Sequence, residues 1–467
     1  MMKYDSYRDS EIHWLGNIPT HWIDSHLKRV CRLIKDGTHG SFQRVDSGYP
    51  LLSVRNIVDN KFVNLKDDSM ISKEDYLSIV RSFKVKEGDI QLAIVGATMG
   101  KVALVPKLKP FATQRSIATI RVNERVLLNK YLFYFIQGNR FQKNLWSNTN
   151  YSAQPGIYLG TIEAISVPIP PPAEQETIAD YLDTKTQAID KKVELLEKKI
   201  TYYQELRKSL INETVTKGLN KDVKLKDSGI DWIGQIPEHW EFRRIKDYTY
   251  VKARIGWQGL RSDEFELSGD YYCVTGTDFL NGKIDWSNCY HVEKERFDQD
   301  KKIIIKEGDL LITKDGSIGK TAIVQNLPKP ATLNSGVFVT RPRHEKYINE
   351  YMYWLLNSRV FFDFVDFNKN GTTILHLYQN VFEKFFYCLP PKNEQKDIAN
   401  YLEKKTSEID QIVKNIQTQI ITLKELRKTL INDVVTGKIK VSESGSVGLK
   451  DGQDSIHPEN QIHPIKS

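Results

Sequence analysis

A chain of 467 residues is too long for a single core and has room for roughly two to four domains. Its 40% apolar and 27% charged residues exclude a disordered polymer, and no apolar run reaches the roughly 18 residues of a membrane span. A formal charge of +8 is a mild basic bias that permits a nucleic-acid partner without requiring one.

The opening MMKYDSYRDSEIHW is polar and unlike a signal peptide, so the protein is expected to remain cytoplasmic. Cys31, Cys273, Cys289 and Cys388 show no close metal spacing and fit a reducing compartment. The first landmark is Ile18-Pro19-Thr20-His21-Trp22. A donor-rich loop follows at 35–44. Glu87-Gly88-Asp89 then leads into a β-type run, Ile90 to Val95, followed by Gly100-Lys101. A helical pattern covers 127–138, an Asn-rich segment 146–154, and Pro170-Pro171-Pro172 closes this part. Beyond the prolines, Leu182, Ile189, Leu196, Tyr203 and Leu210 recur every seven residues in a stretch free of Gly and Pro. That is a coiled-coil seam, and about 40 residues of helix make a rod of about 60 Å.

The chain then begins again. Ile236-Pro237-Glu238-His239-Trp240 repeats the first landmark and Glu307-Gly308-Asp309-Leu310 the second. A second seam runs through Leu402, Ile409, Ile416, Leu423 and Leu430, all at an offset of roughly 220 residues. Residues 1–173 and 219–392 therefore read as two related α/β heads, 174–218 and 393–440 as two long helices, and 441–467 as a disordered tail. The expected fold class is α+β with an internal pseudo-twofold repeat, each helix burying its seam against the other.

The ordered landmarks resemble those of type I restriction–modification specificity subunits. They are IPxxW, the GD-[IL] strand with its Gly-Lys, and P-x-x-EQ-x-x-I-A-x-YL at Glu174-Gln175 and Glu394-Gln395, each present twice and together reaching about residue 440. The resemblance implies that each head is a target recognition domain reading half of a bipartite double-stranded DNA site. It implies an antiparallel coiled-coil spacer, with methyltransferase subunits, two of them, docked on the helices through the seam residues. Restriction subunits would join for ATP-dependent cleavage. S-adenosylmethionine, ATP and Mg would reside on those partners, with no cofactor on this chain. The heads differ between their shared landmarks, so an asymmetric target is expected, its half-sites about one 34 Å helical turn apart.

Base readout needs donors and acceptors, and phosphates attract Lys, Arg and small polar groups. The first head offers Lys35, Thr38, His39, Ser41, Gln43 and Arg44, then Lys101, Gln114 and Arg115, then Asn148, Asn150 and Gln154. The second offers Arg254, Trp257, Gln258 and Arg261, then Lys314, Ser317, Lys320 and Asn334, then Asn368, Lys369, Asn370, Thr372 and Thr373. Each set has a plainer competing role: solvated turns for the polar loops, a core anchor for Trp257.

Catalytic signatures are absent from the sequence. GSIGKT at 316–321 imitates a phosphate loop. Its glycines are two residues too close for G-x-x-x-x-G-K-[ST], and its twin at 96–102 carries Val102 in place of Thr321. No amino-methyltransferase tetrapeptide, HExxH or paired CxxC occurs, and Glu197-Lys198-Lys199 reads as a solvated helix face. His13, Trp14, His21 and Trp22, with Trp232, His239 and Trp240, read as structural anchors, since Asp231 replaces His13 in the second copy. A non-catalytic DNA reader with no metal site is the expectation. A methylation-only system, a protein-binding coiled-coil assembly factor and an ATPase using GSIGKT stand as alternatives.

Overall fold

The computed structural model describes residues 2–149, 155–256, 259–368 and 376–441. Asn150, Gln154, Trp257, Gln258, Lys369, Asn370, Thr372, Thr373 and the tail beyond 441 lie outside the described residues. The chain divides into two compact units, Met1–Leu196 with Thr418–Ser467, and Glu197–Gln417. Each unit combines one head with part of both long helices, Pro172–Lys217 and Lys392–Val435. The units thus divide each long helix between them.

In the first unit the strands Cys31–Asp36, Ile117–Val122, Ile90–Ala93 and Val102–Leu104 are antiparallel neighbours in that order. Lys61–Phe62 and Ile57–Val58 extend this sheet to six strands. The second unit repeats the order with Thr249–Ala253, Val337–Pro342, Leu310–Thr313 and Thr321–Ile323. The central strand is fully buried in both units because both of its faces are covered. Ile90 and Leu92 enter a core with Tyr131, Leu132 and Phe135, while Ala93 joins Leu52, Phe62 and Phe111 on the other side. Leu310 and Ile312 are divided from Leu311 in the same way. This is the period-two alternation of a strand, read twice.

The Glu-Gly-Asp landmark has a mechanical meaning. Asp89 is buried and accepts from Arg121 Nε and Nη2, both at 2.7 Å, and from the Lys86 N–H at 2.7 Å. Asp309 repeats this with Arg341 at 2.7 and 2.6 Å and Lys306 at 2.7 Å. Hydrogen bonding to the carboxylate raises the pKa of both guanidinium groups above the usual arginine range. The Glu-Gln landmark ties each head to the start of its helix. Gln175 Oε1 accepts from the Leu128 N–H at 2.7 Å, and its Nε2 donates to the Pro170 carbonyl at 2.9 Å. Gln395 does the same with Ile348 at 3.0 Å and Pro390 at 2.8 Å.

Within each unit the two helix segments run antiparallel. In the first, Asp190 pairs with Arg427 at 2.9 Å, whereas the Tyr4 ring brings together Glu174, its OH donating at 2.5 Å, and Lys440 at 5.8 Å. In the second, Arg207 pairs with Asp410 at 3.1 Å, and Trp240 lies against both Gly218 and Glu394. Gly437 and Gly218 follow the helix ends with φ of +71° and +74°. A Cβ there would lie 2.3 Å from Pro19 and 3.0 Å from Trp240, so the IPxxW landmark is the seat on which a helix end rests.

The seam assignment needs correcting. Leu182 and Leu402 are fully buried in the head cores, and Leu430 and Leu210 pack against the same cores. Ile409 and Ile416 are buried, and Ile189, Leu196, Tyr203 and Leu423 are half-buried. The seven-residue positions are thus buried or half-buried within the chain, so they are used internally and are not offered to partners. The outward apolar residues on the helices are instead Leu195, Tyr202, Leu206, Ile412, Ile421 and Leu426.

Candidate nucleic-acid interface

Antiparallel order gathers four chain segments at one end of each main sheet. In the first head these are the loop after Asp36, the turn before Ile117, the connection from Ile94 to Lys101, and the segment from Pro155. Backbone bonds hold them together. Thr38 N–H donates to the Thr113 carbonyl at 2.8 Å, Ile94 to Ser116 at 2.9 Å and Ile157 to Ile94 at 3.1 Å. Gly156 also bridges Val95. In the second head Lys314 N–H donates to the Gly336 carbonyl at 2.9 Å and Leu377 to Lys314 at 2.8 Å, with His376 bridging Asp315. Each head therefore presents a rim built from segments far apart in sequence.

Most first-head candidates reach that rim as accessible groups. His39, Ser41, Gln43, Arg44 and Arg115 are exposed, and half-buried Thr38 and Gln114 bridge one another. His39 Nε2 meets Asp36 at 2.6 Å. Lys35 is exposed on its strand with Nζ donating to Ser82 at 3.2 Å, and Lys101 is exposed at the foot of the connection. In the second head Ser317 is exposed on the rim, and Lys314 and Asn334 are half-buried there. Arg261 is exposed beside Asp263 and Glu264. Lys320, the counterpart of Lys101, is likewise exposed at the foot of its connection, where it lines a groove with Arg207, Asn357, Glu403 and Asp410.

Three candidates have other work. Arg254 is 2% exposed, which corrects its reading as a surface contact. Its guanidinium donates to the Leu333 carbonyl at 2.8 Å, Gln299 at 3.1 Å and Thr332 at 3.2 Å, and burial lowers its pKa from the usual arginine range. A charge this deep persists only where its donors are used. Asn148 and Asn368 end two matching helices, Asn139–Ser147 and Arg359–Phe367, each amide donating to the carbonyl one turn back at 2.8 Å.

GSIGKT is a strand connection. Gly316 and Gly319 have φ of +66° and +86°, as do Gly96 and Gly100 at +82° and +90°. The N–H groups of Gly319 and Lys320 are bonded to Thr313 within the turn, at 3.0 Å each, and a strand rather than a helix follows. Thr321 is buried, its hydroxyl accepting from Asn357. Two of the backbone donors a phosphate loop would use are thus occupied.

Sequence reasoning missed several rim residues. Asp315 takes Lys314 Nζ at 2.8 Å and His376 Nδ1 on its two oxygens. Tyr158 and Tyr378 are 72% and 62% exposed at matching positions, and the shared offset was the signal that could have found them.

Comparison with known proteins fits this geometry. The family model of the type I restriction modification DNA specificity domain matches twice, at residues 19–201 and 237–422. The chain is similar to the type I restriction enzyme MjaVIII specificity subunit of Methanocaldococcus jannaschii, 24% identical over 453 residues, covering 94% of this chain and 98% of that one. It is also similar to the EcoBI specificity subunit of Escherichia coli, 20% identical over 441 residues, 92% and 89% covered. Among solved structures, a chain from a study of complex assembly in the type I R-M system aligns with a TM-score of 0.69 at 16% identity, covering 90% and 98%. The HsdS subunit from Thermoanaerobacter tengcongensis aligns at 0.52 and 17%, with the same coverage. With two copies of its domain spanning most of the sequence, the chain belongs to the type I restriction–modification DNA specificity family.

Proposed function

We propose that the chain is the DNA sequence-specificity subunit of a type I restriction–modification system. Each head reads one half of a bipartite, asymmetric duplex site through its rim. The observation that carries this reading is the convergence of donor-rich segments on one rim in each of two copies whose rims differ in sequence. Readers of duplex DNA combine phosphate-positioning cations with donors and acceptors at base edges, and the rims hold both kinds of group.

On this reading the chain contributes no catalytic residue. Methyltransferase subunits dock on the outward faces of the long helices, and restriction subunits join them for cleavage. S-adenosylmethionine, ATP and Mg belong to those partners, and the assembly works in the cytoplasm. Among the described residues no helix is long and apolar enough to cross a membrane.

The test is duplex binding by the full chain with its methyltransferase subunit across a salt series. Affinity is expected to fall as a power of salt concentration, with an exponent of about 0.9 per neutralised phosphate. No duplex binding at low salt with the partner present would overturn the proposal.

A further inference from the structure

We infer that the Lys314–Asp315–His376 cluster is a base-reading element of the second head, in which His376 selects a base and Asp315 positions it; this rests on the DNA-reading function proposed above. Asp315 follows strand Leu310–Thr313 and bridges His376 across the rim. Its oxygens are divided between two partners, Oδ2 receiving Lys314 Nζ at 2.8 Å and Oδ1 meeting His376 Nδ1. An imidazole held by a carboxylate at Nδ1 has its ring orientation and tautomer fixed, with the proton on Nδ1. In the neutral imidazole Nε2 is then an aimed acceptor. Among the described residues it has no hydrogen-bond partner, and the side chain is 42% exposed, with the Tyr378 ring 5.6 Å away. In the major groove such an acceptor matches the exocyclic amino group of adenine or cytosine. Lys314 offsets the Asp315 charge, which would otherwise repel the phosphates beside that base.

The first head supplies the internal control. The same backbone bridge is made there by Val95 and Gly156, with Ile94 in the place of Lys314. Backbone and flanking tyrosine are shared, as Tyr158 and Tyr378, while the polar triad is confined to one head. Side-chain chemistry that differs on a common backbone is where two readers of different sequences must diverge.

The test is selection of randomised duplexes by the full chain with its methyltransferase subunit. The unaltered protein is expected to enrich a split sequence. His376→Ala should lower discrimination about tenfold at one position of one half-site, leaving the other half-site unchanged. Asp315→Ala should relax the same position to a smaller extent. Asp315→Asn should retain the preference, because an amide oxygen still accepts from Nδ1–H. His376 is too exposed for its truncation to empty a core, and the intact half-site reports a folded variant.

An unchanged motif in His376→Ala would overturn the inference, as would an equal loss of affinity for all sequences. Loss of the preference in Asp315→Asn would overturn the positioning role. Failure of the unaltered protein to enrich any split sequence would instead overturn the proposed function itself.

Discussion

The two heads agree where they meet their helices and diverge at their rims. Near the helices the agreement extends to individual atoms. Asp89–Arg121 answers Asp309–Arg341, Gln175 answers Gln395, and Tyr131 answers Tyr351. Both buried tyrosine hydroxyls donate to a carbonyl at the far end of a long helix, Val435 at 3.2 Å and Val215 at 3.3 Å. At the rim the correspondence fails. Gly37, where a Cβ would lie 2.1 Å from the Thr113 carbonyl, stands opposite Arg254, whose guanidinium fills the interior. Val95 and Gly156 stand opposite Asp315 and His376. Even the central strand differs: Gln91, bonded to Thr119 in the first head, is replaced by the apolar pair Leu311 and Val339. The duplication kept its scaffold and released its rims, as the proposed reading of two different half-sites requires.

That contrast can be broken most forcefully at the shared clamp. Asp89→Ala and Asp309→Ala each strand a partly buried arginine, so each should destabilise its own head by about 3–5 kcal/mol. Chemical unfolding of the full chain should show the two losses to be similar; a large loss in one head alone would mean the scaffold is not shared. Next comes a difference between the heads. Arg254→Met leaves the Leu333 carbonyl and the Thr332 hydroxyl unpaired and should cost about 2–3 kcal/mol in the second head. Gly37→Ala at the matching position should cost about 1–3 kcal/mol through collision rather than lost bonds. Thermal unfolding separates these from surface-contact variants, which would leave stability unaltered.

A smaller effect sharpens the comparison at the seat of the helices. Trp240 Nε1 donates to Glu394 at 2.9 Å, whereas Trp22 Nε1 has no partner among the described residues, because Tyr4 and His21 take Glu174. Trp240→Phe should therefore destabilise more than Trp22→Phe by about 1 kcal/mol, the low value reflecting that Glu394 is 40% exposed. Equal losses on denaturant titration would contradict it. Least of all, His21→Ala and His239→Ala remove exposed His–Glu contacts of 2.8 and 2.7 Å and should each cost less than about 1 kcal/mol by the same titration.

Much of this architecture was legible in the sequence because it was written twice. The seams, the Glu-Gly-Asp strands and the Glu-Gln helix starts each carry a period or a fixed offset, and each proved to be a packing device. The segments that form the rim were legible too, as polar stretches without apolar rhythm. Individual side chains were not. An arginine in a Gly-containing loop reads as exposed, yet the three-dimensional path of the chain buried Arg254. Asparagine serves recognition and helix termination equally well, and Asn148 and Asn368 took the second role. Asp315 and His376 are far apart in sequence, so nothing local could join them. The seam misled in one respect: its terminal members, Leu182, Leu210, Leu402 and Leu430, pack into the head cores and do not stand open to a partner.

The most direct measurement of the central claim is sequencing of methylated bases in DNA from cells carrying this chain with its methyltransferase subunit. Two diverged rims on a common scaffold predict one asymmetric split motif, methylated in both halves. A palindromic motif, or no motif at all, would contradict the account.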